Sequence, residues 1–133
     1  MIYLPGQGRV VVAGGPRTGK TTLARQKLAS GFRVRHADEL IATHEWSAAS
    51  AHVATWLDEP GPWVVEGVTA VRGLRKWLAA HPEGKPCDVV AWLDRPQVAR
   101  SPGQETMARG TLTIWSGVWP ELVRRGVEIQ LQE

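Results

Sequence analysis

The sequence predicts an α/β domain in which five short strands alternate with helices. Two observations support this prediction. Runs of β-branched and other apolar residues recur along the chain, and segments with apolar residues at helical spacing separate them. A glycine-rich loop that fits the phosphate-binding pattern G-x-x-x-x-G-K-[ST] lies between the first strand and the first helix. The 133 residues, of which 43% are apolar, suit one domain with a modest core.

The first strand and the first helix flank this loop. Residues 9–13 are a β-branched run, and residues 22–29 are mostly good helix formers, with Gly31 expected to end the helix. Loop amides, the positive end of the helix dipole and a lysine together suit a polyphosphate. We expect Lys20 to contact the β- and γ-phosphates and Thr21 to join a Mg²⁺ shell. The nucleotide-binding residues are predicted to be Gly14, Gly15, Pro16, Arg17, Thr18, Gly19, Lys20, Thr21 and Thr22.

Two carboxylates are predicted at the ends of the next two strands. Residues 32–36 alternate as a second strand, and Asp38 follows at the edge where ligands lie in open α/β sheets. Asp38 is expected either to meet an acceptor hydroxyl or a metal near the γ-phosphate, or to cap a short helix through Ile41. After a helix over 45–59, residues 63–67 form the third strand and contain Glu66. For Glu66 a Mg²⁺-binding role and a structural role both stay open.

The second half continues the alternation of helices and strands. The predicted elements are a helix capped by Thr69, a strand over 88–94, a helix from 104 with a kink or restart at Pro120, and a last strand over 127–131.

Several arginines stand near the predicted site. Arg72 and Arg75 are interpreted as solvated charges, with contact to an acceptor phosphate as the alternative. Arg100 and Arg109 fall in a lid-like segment over 95–118 that is expected to close over the site. An arginine at that place stabilises the charge of a transferring phosphoryl group.

Composition narrows the functional classes. The net charge of +3 mildly favours anionic partners. A single cysteine excludes an internal disulfide. No apolar run approaches the ~20 residues of a membrane span, and residues 1–8 lack a secretory signal pattern. A cytoplasmic protein without membrane contact is therefore expected. The seven tryptophans are interpreted as core residues, with base stacking as the alternative. His36, His44 and His52 are interpreted as ordinary histidines rather than metal ligands.

The element order, with the glycine loop and Lys20-Thr21 after the first strand, resembles the P-loop kinases of the nucleotide, shikimate, gluconate and polynucleotide type. The resemblance implies a three-layer α/β/α P-loop NTPase fold with a five-stranded parallel sheet, in one kinase domain over 1–133. It also implies that the protein uses ATP and Mg²⁺ and that Asp38 is the general base for a hydroxyl. The implied catalytic residues are Lys20, Asp38, Arg100 and Arg109.

The chain is compact for that group, because it lacks an insertion for a separate monophosphate-binding domain. A compact, open, basic kinase suits a large acceptor. The expected acceptor is therefore a nucleic acid or nucleotide, such as a polynucleotide 5′-hydroxyl or a hydroxymethylated base in DNA. In outline the chain also resembles the small virus-encoded kinases of 5-hydroxymethyluracil in DNA. The alternatives are a kinase of small polyols or sugar acids and an NTP-binding switch or assembly protein with little turnover. A monomer or small homo-oligomer is expected.

Overall fold

A computed structural model describes residues 8–132, so that the segment 1–7 considered for a signal pattern lies outside the described residues. The described chain contains one five-stranded parallel sheet with helices on both faces, and this confirms the predicted fold class. Two short 3₁₀ helices, Leu28–Ser30 and Ala37–Ala42, supplement the main elements. The main elements are β1 (Arg9–Gly14), α1 (Lys20–Arg25), β2 (Arg33–His36), α2 (Trp46–Trp56), β3 (Trp63–Gly67), α3 (Ala70–Ala80), β4 (Val89–Leu93), α4 (Pro102–Arg124) and β5 (Glu128–Leu131).

The strand order β2-β3-β1-β4-β5 places β1 at the centre of the sheet. Gly14, the last residue of β1, is in register with Leu93, and Glu66 of β3 is in register with His36 of β2. Because all the strands are parallel, their carboxyl ends lie along one edge, where ligands bind in open α/β sheets. The glycine loop, the segments after β2 and β3, and the segment after β4 therefore meet at this edge.

Alternate residues of β1 face opposite sides of the sheet. Val11 and Ala13 belong to a core that includes side chains of α2, α3 and α4. Val10 and Val12 pack on the other side in a smaller core with Ala24 of α1. The central strand is thus buried on both faces, which explains its continuous apolar run.

Most of the tryptophans belong to the core, as predicted. Trp63, Trp77, Trp92 and Trp115 are buried, and the indoles of Trp92 and Trp115 stack with their ring centroids 4.6 Å apart. This stack joins β4 to α4. Only one of the seven, Trp119, is classed as exposed, with an exposed fraction of 44%.

Two predicted helix boundaries are corrected by the structure. Helix α1 ends at Arg25, and Gly31, at a φ of 84°, instead ends the following 3₁₀ turn. Helix α4 starts at Pro102 and continues through Pro120, so it does not restart there. Pro120 is exposed, whereas Val118 and Leu122 on either side of it are buried and hold the helix on the sheet. Between residues 8 and 132, no helix is both long and apolar enough to cross a membrane.

Candidate active site

A cavity of about 610 Å³ opens at the carboxyl edge of the sheet. Residues 16–22 of the glycine loop and of the start of α1 form one side of it. Asp38 and Glu66, the two carboxylates predicted from the sequence, also line it, and Gln104 and Met107 of α4 contribute a further wall. The fold therefore brings the phosphate loop and both carboxylates to a single space.

Steric requirements explain two glycines of the loop. Gly14 has a φ of 151°, and a Cβ at this position would lie 2.0 Å from the carbonyl oxygen of Leu93. Gly19, at the start of α1, has a φ of 91°. Both conformations are open to glycine and costly for other residues. Within the loop, the Thr18 hydroxyl donates a hydrogen bond of 3.0 Å to the carbonyl of Gly15.

Lys20 points back into the loop. Its side-chain amine donates to the carbonyl of Gly15, and the hydroxyl of Thr18 lies 3.4 Å away. Only 6% of the residue is exposed, and burial lowers the pKa of its amine. The charges of Asp38 and Glu66 act in the opposite direction and favour the ammonium. A buried cation whose bonds inside the loop go to neutral oxygens has a strong attraction for an anionic phosphate.

Glu66 is the centre of a polar cluster beside the loop. It is 3% exposed, and its Oε2 accepts a hydrogen bond of 3.0 Å from the Thr21 hydroxyl. The Nδ1 of His36 lies 2.5 Å from the same oxygen and donates to it, since a carboxylate oxygen accepts. Sequence reasoning treated His36 as ordinary and missed this contact. No sequence signal identified it, because the contact follows from the register of β2 against β3, which places His36 beside Glu66.

The donor set of this cluster fits Mg²⁺. Mg²⁺ prefers oxygen ligands and usually combines one or two protein oxygens with phosphate oxygens and water. Thr21 and Glu66 offer two oxygens next to the loop. In the described part of the chain, no group of three or more His, Cys, Asp or Glu side chains could hold a metal. An ion at this place would therefore depend on the phosphates of a nucleotide.

Asp38 holds the turn between β3 and α3. Its Oδ2 accepts from the amide of Val68 at 3.0 Å, and its Oδ1 accepts from the amide and the hydroxyl of Thr69 at 3.2 and 3.1 Å. The turn passes close to the carboxylate at Gly67, where a Cβ would lie 2.7 Å from Oδ1. Asp38 thus bonds to the start of α3 and not to its own 3₁₀ helix. Oδ2 accepts only one of these hydrogen bonds and can accept another from a further donor.

The two predicted lid arginines have different surroundings. Arg100 donates from Nε to the carbonyl of Pro16 at 2.8 Å, and its side chain is 8% exposed, so it lies against the glycine loop. Arg109 is exposed, donates to the Thr106 hydroxyl, and lines a separate cavity of about 170 Å³ with Arg100 and Gly15. The structure therefore brings Arg100 to the loop, but both arginines line the smaller cavity and neither lines the larger one.

Gln97 is a second residue that sequence reasoning missed. Its backbone amide donates to the carbonyl of Arg17 at 2.7 Å. Arg17 has a φ of 62°, which is uncommon for a residue other than glycine. The side-chain amide of Gln97 also lies 2.8 Å from the place where a Cβ of Gly19 would be. The non-helical segment after β4 thus contacts the glycine loop, and helix α4 begins only at Pro102.

No family model and no curated protein sequence matches this chain. Among solved structures, the chain is similar to a shikimate kinase from Acinetobacter baumannii in complex with shikimate, with a TM-score of 0.56 and 14% sequence identity. The superposition covers 93% of this chain and 82% of that one. At this identity the similarity shows the fold alone: the chain shares the α/β fold of that structure.

Proposed function

We propose that the protein is an ATP-dependent kinase that transfers the γ-phosphate of ATP to the hydroxyl group of a small molecule. The observation that carries this proposal is the shared cavity. Lys20 and the loop lie on one side of it, and Asp38 and Glu66 also line it. Phosphoryl transfer requires the positioning of two substrates and the neutralisation of charge, and this arrangement offers groups for both.

In the proposed mechanism, Lys20 and the loop amides bind the phosphates, and Thr21 and Glu66 hold Mg²⁺. When bound, Mg²⁺ neutralises charge on the β- and γ-phosphates. The acceptor oxygen attacks the γ-phosphorus, and the bond between this phosphorus and the β–γ bridging oxygen breaks, which releases ADP. Asp38 takes the proton of the attacking hydroxyl. In this proposal Arg100, which is bonded to the loop at Pro16, supplies positive charge beside the loop that offsets charge on the phosphates.

The acceptor favoured here is a small molecule, whereas the sequence favoured a nucleic acid or nucleotide. A volume of about 610 Å³ is within the usual range of small-ligand sites. No tryptophan of the described chain lines this cavity, so the expected stacking of bases on exposed tryptophans has no support there. The structural relative binds shikimate, a small metabolite, in its solved complex. The nucleic-acid acceptor receives no comparable support and becomes one arm of the test.

The test is transfer of label from γ-labelled ATP in the presence of Mg²⁺. Acceptors are offered in separate reactions: small polyols, sugar acids, nucleosides, single-stranded DNA and hydroxymethylated DNA. We expect label on a small hydroxyl compound, with Lys20→Met abolishing both transfer and ATP binding. Tight ATP binding without label on any acceptor would favour the NTP-binding switch. Label on DNA alone would reject the small acceptor but keep the kinase.

A further inference from the structure

His36, the last residue of β2, contacts the carboxylate that is proposed to hold Mg²⁺. Its Nδ1 lies 2.5 Å from Oε2 of Glu66, and the Thr21 hydroxyl lies 3.0 Å from the same oxygen. Two donors thus converge on a single carboxylate oxygen. The parallel pairing of β2 with β3 places His36 in register with Glu66, so the contact joins neighbouring strands of the sheet.

The two donors restrict the orientation of the Glu66 carboxylate and leave its other oxygen available. The contacts from Thr21 and His36 both end on Oε2, and neither of them uses Oε1. Glu66 is buried but lines the cavity beside the glycine loop. Oε1 therefore keeps its lone pairs for a cation or for a water molecule bound to a cation.

A carboxylate that binds Mg²⁺ benefits from such support. The ion requires nearly ideal octahedral geometry, so a ligand that is free to rotate must be ordered when the ion binds. Hydrogen bonds that hold a ligand in its binding orientation typically contribute 10–100-fold to metal affinity or activity. The contact from His36 is of this kind, because it ends on the carboxylate and not on the ion.

Thr21 alone does not supply this support, because its own hydroxyl is expected in the Mg²⁺ shell. Its bond to Oε2 therefore depends on how the ion and the nucleotide are bound. His36 belongs to a strand of the sheet, so its imidazole is in place before either of them binds.

We propose that His36 is a positioning residue, which holds Oε2 of Glu66 and thereby directs Oε1 to Mg²⁺. The inference rests on the proposed kinase function. His36 contacts neither substrate in this role and acts only through Glu66. Its loss should therefore weaken the part of nucleotide binding that depends on Mg²⁺ and should not affect nucleotide binding without the ion.

A second cavity makes His36 accessible to a small reagent. This cavity of about 520 Å³ lies beside β2, the edge strand of the sheet, and His36, Arg35 and Trp56 are among the residues that line it. The side chain of His36 is 22% exposed. Free imidazole can therefore enter the space that His36→Ala would leave and supply the missing N–H donor to Glu66.

The affinity for ADP, measured by calorimetry with Mg²⁺ and again in EDTA, tests the inference. The proteins are the wild type, His36→Ala, His36→Phe, His36→Asn, Glu66→Gln and His52→Ala. His36→Phe keeps a ring without a donor, and His36→Asn keeps a side-chain N–H group. His52→Ala is a matched control, because His52 is exposed on α2. The measurements with Mg²⁺ are repeated with added imidazole.

Mg²⁺ is expected to strengthen ADP binding to the wild type. His36→Ala and His36→Phe should reduce this enhancement by about tenfold or more and leave the affinity in EDTA unchanged. His36→Asn should retain part of the enhancement, and His52→Ala all of it. Imidazole should restore part of it to His36→Ala and should change neither the wild type nor Glu66→Gln.

An unchanged Mg²⁺ enhancement in His36→Ala and His36→Phe would overturn the inference. An equal loss of ADP affinity with and without Mg²⁺ would also overturn it, because the role of His36 would then be structural. Melting temperatures show whether a variant is folded, and His36→Phe decides if His36→Ala is not. Transfer of label tests the kinase function separately: an enhancement that depends on His36, without label on any acceptor, would keep the positioning role and reject the kinase.

Discussion

Replacement of Asp38 by Asn should lower both the stability and the activity of the protein. The carboxylate accepts three hydrogen bonds, one from Val68 and two from Thr69. Asn has one oxygen, so its NH₂ group must face either the Val68 amide or the two Thr69 donors, and at least one bond is lost. A hydrogen bond to a charged group contributes about 1.5–3 kcal/mol, and the lower end applies because Asp38 is only half-buried. We expect a melting temperature lower by about 5–10 °C.

The loss of the proposed base should in addition reduce phosphoryl transfer by about 10²–10⁴-fold. Thr69→Val separates the two effects, because it removes one donor to Asp38 and keeps the carboxylate. It should cost about 1 kcal/mol of stability and change transfer by no more than a few-fold. Thermal melts, calorimetric ATP binding and transfer of label are measured on both variants. An Asp38→Asn protein that melts like the wild type would refute the anchoring of the turn. One that transfers at the wild-type rate would refute the general base.

Three further changes test other parts of the site and the core. Glu66→Gln should weaken Mg²⁺ binding to the ADP complex by about tenfold or more, because one charged oxygen is lost. Calorimetry measures this affinity, and an unchanged value would exclude Glu66 as a ligand. Gly67→Ala, at a φ of 145°, should abolish transfer, since its Cβ would lie 2.7 Å from Asp38. Gly31→Ala, at a φ of 84° and in open space, should lose only stability, and equal activity of the two variants would contradict the contact. Burial raises the pKa of the Cys87 thiol to about 12, so at pH 8 only about one thiol in ten thousand is ionised. Cys87 should therefore react with a thiol reagent only after unfolding, and rapid labelling of the native protein would show that it is accessible.

The elements that sequence reasoning predicted well are those specified by local patterns. The third strand was predicted over 63–67 and is observed as Trp63–Gly67. Its β-branched residues and the preceding Pro-Gly-Pro turn act within a few positions of one another. The glycine loop could be predicted equally well, because the conformations of Gly14 and Gly19 are permitted to glycine and costly for other residues. The end of helix α1 and the continuation of α4 through Pro120 were predicted less well, because packing rather than propensity decides how far a helix continues.

The residues of the candidate site could be predicted only in part from the sequence. Asp38 and Glu66 were predicted from their positions at strand ends, and the fold places both at one cavity. The bond between His36 and Glu66 joins residues 30 positions apart, and no local pattern indicates it. Arg72 was interpreted as a solvated charge because its helical spacing places it off the apolar stripe of α3. Only the approach of α2 and α4 buries its guanidinium.

The sequence by itself determined the α/β class, the order of the strands and helices, and the glycine loop with its lysine. These follow from side-chain periodicity and from backbone conformations that few residues can adopt. Only the tertiary structure decided the partners of Asp38, Glu66 and Arg72, the position of Arg100 and Arg109 beside the smaller cavity, and the size of the larger one. The physical reason is that hydrogen bonds, burial and charge interactions depend on distances between residues remote in the chain, and those distances exist only once the strands are in register and the helices have packed.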